Sequence, residues 1–376
     1  MIYFDNASTT TIDKRVLKTY ETLLSTYFAN PSGNHALSRD VDRLQDKART
    51  EILKSFNYQH GKVIFTSSAT EANNLALIGL FLTYKSRGNE IIISNYEHPS
   101  VFEAAKYLEK VHNAKINYLP INNDGTYDLE VLKNLLTNNT VIVSLMAVNN
   151  EIGTVNSFHE IKEILKDYPK VFLHSDITQA VGKISLDYSL FDAFSFSAHK
   201  IHGLKGSGAL VLKEKLNPTP LLYGGMQENG TRAGTSNAPT NIVLAQTIRL
   251  ALSEADSNFN HVLKLATKLH ELLLNESDYF VLNSTLDNPY IVNFSLINHK
   301  ASVVLNALEN DEIYVGTTSS CSAKLHEASR SVFALTGDEK RAHNAIRISF
   351  SSQNTLQEVE TFFNTLLKII KGAKDE

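Results

Sequence analysis

Apolar residues in this chain cluster in short runs of strand length, and between them apolar positions recur every three or four residues. Seven runs read as strands: Val63–Ser67, Glu90–Ser94, Lys115–Leu119, Val141–Val148, Lys170–His174, Ala193–Ser197 and Ala209–Leu212. Helical patterns such as Glu71–Lys85 and Ser100–Val111 alternate with them. Near-continuous Val, Ile, Leu and Phe in the strands leaves no polar face. That predicts an α/β fold whose mostly parallel seven-stranded sheet is covered on both sides.

Helical periodicity dominates from about Asn241 to about Leu274 and predicts a long connecting helix. Beyond it, strands (Tyr290–Ser295, Ala345–Phe350) mix with helices (Ala301–Leu308, Leu356–Ile370). This change predicts a smaller α+β C-terminal domain joined by the first residues. The expected division is 14–255 for the large domain, and 1–13 with 256–376 for the small one. No internal repeat or low-complexity tract interrupts the pattern.

Composition narrows the class. The chain has 376 residues, 43% hydrophobic and 20% charged, which suits a soluble globular protein of two domains. A net charge of -4 gives no electrostatic ground for direct binding to nucleic acid. The opening MIYFDNASTT has no secretory pattern, and the apolar runs are too short to span a bilayer, so a cytoplasmic protein without membrane contact is expected. The one cysteine, Cys321, can form neither an intramolecular disulfide nor a multi-cysteine metal site. A lone cysteine is often a small buried hydrophobe. Its neighbours, Gly316 to Ala323, are small and polar instead, as in a loop.

Five polar clusters follow apolar strands. After AFSFS comes Ser197-Ala198-His199-Lys200. A lysine just past a buried strand can lose its hydration, which lowers its pKa and frees the amine for a Schiff base. Ser197 and His199 can donate to a phosphate. Asp176, at the end of KVFLHSD, can pair with the protonated ring nitrogen of pyridoxal 5'-phosphate (PLP), and Gln179 can reach the ring oxygen. Ala69 and Thr70, in TSSATEANN, open a helix and so form an anion site. His98, after EIIIS, can stack on a ring and move protons. Asn150, in NNEIG, can contact a ligand. Each has a plainer reading alone: a surface lysine, a helix cap, a loop histidine, a turn. A doubly wound sheet, however, brings the carboxyl ends of its strands together.

In order along the chain, FDNASTT, FANPSGNH, TSSATEANN, NYEHPSV, VNNEIGT, HSDITQAVGK, SFSAHKIHGLKGSGAL, NGTRAGTSN, SSCSA and AIRISF resemble the class V aminotransferase family of PLP enzymes (fold type I). Within it they resemble the NifS/IscS-type cysteine desulfurases. The resemblance implies Lys200 as the Schiff-base lysine and Ala69, Thr70, Ser197 and His199 as phosphate contacts. It implies Asp176 at the ring nitrogen, Asn150 and Gln179 at the ring oxygen, and His98 stacked on the ring in proton transfer. Arg347 would clamp the carboxylate of L-cysteine, with Asn30 nearby. Thr235 would reach the phosphate of a neighbouring subunit, which implies a homodimer. Cys321 would take the substrate sulfur as a persulfide, leaving L-alanine, and pass it to an acceptor protein: a tRNA sulfurtransferase or an iron–sulfur scaffold.

Two departures bear on the acceptor. The loop reads TTSSCSAK where the family is close to SSGSACTS, and the tail KIIKGAKDE lacks the extension carried by scaffold-binding members. Loops of this kind resemble those of members serving tRNA thiolation. The competing readings are a selenocysteine lyase or transaminase of the same fold, and a non-catalytic sulfur carrier or assembly partner. A transaminase needs no thiol, and a carrier needs neither Lys200 nor Asp176.

Overall fold

The structure, a computed structural model, describes residues 1–316 and 328–372. Its twelve described strands are β1 (Ile2–Phe4), β2 (Gly61–Thr66), β3 (Glu90–Ser94), β4 (Lys115–Leu119), β5 (Thr140–Ser144), β6 (Phe172–Asp176), β7 (Ala193–Ser197), β8 (Gly208–Lys213), β9 (Phe280–Leu282), β10 (Ile291–Leu296), β11 (Ile313–Val315) and β12 (Ala345–Ser349). Seven form the main sheet in the order β2-β8-β7-β6-β5-β3-β4. Only β8 runs against its neighbours; the other pairs are parallel, as expected of a mostly parallel sheet. Adjacent residues feed opposite cores: Ile92, Val143 and Phe194 pack on one face, and Ile91, Ile93, Ile142 and Leu210 on the other. Burial on both faces explains why the strands carry no polar alternation, and each such side chain contributes roughly 1.5–3 kcal/mol.

A second core forms around the antiparallel sheet β12-β10-β9. The helices Ala255–Asn275 and Leu356–Gly372 bury Val262, Leu269, Phe362 and Leu366 against it. The first residues join this core. Phe4 meets Phe350 and Phe362 edge-on at 5.1 and 5.7 Å, and β1 pairs in parallel with β11. Bridges Asp5–Ser349 and Gly316–Arg347 tie both to β12.

Some boundaries differ from the pattern-based expectation. The run Val141–Val148 leaves the regular ladder after Ser144. Leu145 and Ala147 still donate to the carbonyls of His174 and Asp176 at 3.1 and 3.0 Å, but the chain then folds back through a Val148–Val155 bridge. Strand β6 starts at Phe172 because a turn, Val171 N to Tyr168 O at 3.0 Å, holds Lys170 outside it. The long connecting helix is two helices, Ala238–Ser253 and Ala255–Asn275, hinged at Glu254. The helix after β2 contains a π turn over Leu75–Gly79, a distortion frequent near functional sites.

Candidate active site

The carboxyl ends of β2, β6 and β7 meet at one cleft. At the end of β2, Ser68 caps the helix Ala69–Asn74: its Oγ accepts from Glu71 N, and Glu71 Oε2 accepts from Ser67 N at 2.8 Å. The pattern is a capping box displaced by one residue, because Glu71 takes the N–H of Ser67 rather than that of the cap residue Ser68, so the plain reading of TSSATE as a capping sequence holds as well. At the end of β7, Ser197 Oγ accepts from Ala69 N at 2.6 Å and so stitches the two strand ends together. Ala69, Thr70, His98, Asn150, Asp176, Gln179, Ser197, His199, Lys200 and Arg347 all line the cleft, which encloses about 870 Å³ including its open mouth.

Lys200 follows a single tight turn after β7 and is half-buried. Its Nζ donates to Ala7 O at 2.6 Å and to Ser8 O, so the first segment of the chain lies across it. Asp176 is buried with both oxygens engaged: Oδ1 accepts from Thr178 N at 2.9 Å and Oδ2 from Asn73 Nδ2 at 2.7 Å. The Asp176–Thr178 contact is a local side-chain turn rather than a helix cap, since turns and no helix follow β6, and the same carboxylate lines the cleft. Gln179 donates to Ala7 O at 2.9 Å and accepts from Lys183 Nζ at 2.8 Å. His98 caps the helix Pro99–His112; its Nδ1 accepts from Ser100 N at 3.1 Å.

Arg347 lies in β12, on the small-sheet side of the cleft, and is almost fully buried. Nη2 donates to Asp5 Oδ1 at 2.8 Å and Ser8 Oγ at 3.0 Å, and Nη1 to Asn150 O at 2.8 Å. Its Nε has no partner among the described residues. A buried guanidinium that spends three of its five N–H donors is suited to a carboxylate ligand.

The model of the aminotransferase class-V family matches residues 2–362. The chain belongs to the class V aminotransferase family. Among its relatives is the cysteine desulfurase IscS of Rickettsia bellii, 35% identical, with all of this chain and 92% of that protein covered. A solved NifS-like protein superposes with a TM-score of 0.91 at 33% identity, covering 98% of this chain and 99% of that one. A solved structure of SspA in complex with cysteine gives 0.80 at 27% identity, covering 94% and 100%. The chain is thus a class V enzyme of the NifS/IscS group, and the cofactor of that group is PLP.

The residues fit PLP by the chemistry of their donors. Ser197 accepts from Ala69 N and keeps its own hydroxyl proton to give, and it shares the cleft with the Thr70 hydroxyl and the ring of His199. Burial, then repulsion from Lys200, Lys205 and Lys183, pushes His199 down to about 4, so it is neutral and meets a phosphate as a hydrogen-bond donor. Asp176 supplies the carboxylate that a protonated pyridine nitrogen needs. Burial likewise lowers His98, leaving a neutral ring that suits stacking. Burial, with repulsion from Lys200 and Arg347, brings Lys183 down to about 7.

One expected residue, Asn30, is not brought to this cleft, and Thr235, expected to serve a neighbouring subunit, lies apart from it. Asn30 sits on an exposed turn, where its side chain accepts from Ser32 N at 3.0 Å. Thr235 is exposed in a separate surface pocket with Arg232 and Ser236. Cys321 lies outside the described residues. Four residues with no role in the sequence reading do belong here: Asp5, Asn73, Ser100 and Lys183. Asp5 had a signal, since it sits in FDNASTT, but nothing local connects that motif to Arg347.

Proposed function

We propose that this class V enzyme is a PLP-dependent cysteine desulfurase that moves the sulfur of L-cysteine onto Cys321 and releases L-alanine. The observation that carries the reading is one cleft holding a lysine, a carboxylate, a phosphate-type donor set and a buried arginine with unspent donors. Bound PLP supplies an electron sink that makes the substrate Cα–H acidic and its Cβ–S bond breakable. Lys200 would hold the cofactor, and its freed Nζ would take the Cα proton of the substrate. Arg347 orients the substrate through its carboxylate. His98, which lines the cleft, would stack on the bound ring and move protons. Cys321 Sγ, as thiolate, attacks the substrate sulfur: the C–S bond breaks, an S–S bond forms, and protonation at carbon yields alanine.

The anchoring of the neighbouring backbone supports the role of Cys321. Gly316 exchanges two backbone hydrogen bonds with Arg347, at 3.0 and 2.8 Å. On the far side, Ser329 Oγ donates to buried Glu151 Oε2 at 2.5 Å, next to Asn150. Cys321 is five residue steps from Gly316, a reach of up to about 17 Å. Incubation with L-cysteine should therefore yield alanine and a Cys321 peptide heavier by one sulfur atom. Cys321→Ala should abolish alanine formation; alanine formed without the thiol would point to transaminase or lyase chemistry.

The finer parts of the reading are a homodimer and a tRNA sulfurtransferase or iron–sulfur scaffold as acceptor. The dimer is supported by the exposure of Thr235 and of two large apolar residues just before it, Tyr223 at 79% and Met226 at 80%. Sedimentation should give twice the chain mass, and a monomer would remove Thr235 from the cofactor site. Transfer of labelled sulfur should run to the tRNA enzyme; transfer only to the scaffold would reverse that choice.

A further inference from the structure

Asn73 is fully buried near the end of the short helix Ala69–Asn74 and bonds at once to Asp176, which lines the cleft, and to Ser100, which contacts the cleft-lining His98. Its Nδ2 donates to Asp176 Oδ2 at 2.7 Å and to Ser100 Oγ at 2.9 Å, which uses both amide hydrogens. Ser100 Oγ, already an acceptor, lies 2.8 Å from His98 Nδ1. That nitrogen also accepts from Ser100 N. Because Nδ1 accepts from Ser100 N it carries no proton, so the Ser100 hydroxyl, which accepts from Asn73, is the donor in its contact with that nitrogen. The proton of a neutral His98 then sits on Nε2.

We propose that Asn73 is a positioning residue that fixes, through one amide group, the carboxylate of Asp176 and the ring orientation and tautomer of His98. The orientation of the amide itself follows from its partners. Turned over, its oxygen would face a carboxylate and its nitrogen would leave Ser100 without a donor. The cost is visible, because Asn73 Oδ1 is buried and has no partner among the described residues. A side chain chosen only for packing would not strand a polar atom there. The lowered pKa of His98, caused first by burial, agrees with a ring that stays neutral. The proposal takes Asp176 and His98 as the cofactor contacts described above.

The test is nitrogen NMR of histidine-labelled protein, with the His98 signal assigned by its loss in His98→Gln. It is run on cofactor-loaded protein and again after cofactor removal, so the ring is read whether or not the catalytic reading holds. Wild type should show a protonated Nε2 and a strongly hydrogen-bonded Nδ1. Asn73→Ala should shift Nδ1 part-way toward an unbonded value, because the Ser100 hydroxyl is no longer held while Ser100 N still donates. It should also weaken cofactor retention about tenfold, the size expected for losing one hydrogen bond to a charged group. Ser100→Ala should reproduce the Nδ1 shift while keeping cofactor retention, because it cuts only the His98 arm. Asn73→Asp, which sets an acceptor against Asp176, should retain cofactor worse than Asn73→Ala. The proposal is overturned if Nδ1 and cofactor retention match wild type in Asn73→Ala, if Ser100→Ala leaves Nδ1 unmoved, or if Asn73→Asp retains cofactor like wild type.

Discussion

Glu97 shows how tightly this site is built at the level of single residues. It precedes His98, is buried, and accepts at Oε1 from Ser94 Oγ at 2.6 Å and Met146 N at 2.9 Å, while Oε2 has no partner among the described residues. Burial pushes its pKa up to about 8, so it is a neutral acid at pH 7. An unfolded Glu97 releases its proton near the ordinary value of 4.5, whereas the native one keeps it to about 8. In that window the native state binds more protons, so stability falls as pH rises through it and then levels off. Glu97→Gln, a neutral mimic, should therefore melt close to wild type at pH 5 and above it at pH 8.5. A gap in Tm that does not widen with pH would contradict a protonated Glu97. Neither this state nor the Asp5–Arg347 pair was legible in the sequence. The first depends on burial, and the second joins residues that only the folded chain brings to 2.8 Å.

At the scale of elements, much was legible because the physics is local. Each of the clusters ending in Ser68, His98, Asp176 and Lys200 follows an apolar run that is a strand in the structure. A buried parallel sheet needs that apolar run, and its carboxyl ends are where polar chemistry collects. Less legible were places where backbone geometry overrides composition, such as Leu145–Val148, which is apolar yet leaves the ladder to shape the Asn149–Thr154 turn. The glycine-rich stretch from Gly203 leads into β8, and at Gly208 the packing requires glycine. A Cβ there would lie 2.7 Å from the Ser68 backbone and 2.8 Å from Phe196 O. Gly208→Ala should thus push apart the two strand ends that carry Ala69 and Ser197. The expected cost is about 1–3 kcal/mol of stability, read by denaturant titration, with weakened cofactor binding. Unchanged binding and stability would show that the turn has slack.

At the scale of the whole molecule, the cleft is assembled from both ends of the chain. The main sheet supplies Asp176, Ser197 and Lys200; the first residues lay Ala7 and Ser8 over Lys200; β12 brings Arg347. Two lysines approach this point, Lys200 in the cleft and Lys183 bonded to Gln179, and Lys183 has its pKa drawn down to about 7. A low pKa alone would nominate Lys183 as the cofactor's anchor. Geometry nominates Lys200, which lines the cleft with Asp176 and the phosphate donors, whereas Lys183 does not. Borohydride reduction of the PLP-loaded protein, followed by peptide mapping, decides between them. The account predicts a pyridoxyl group on the Lys200 peptide and its loss in Lys200→Ala; a pyridoxyl group on Lys183, or none on either lysine, would contradict it.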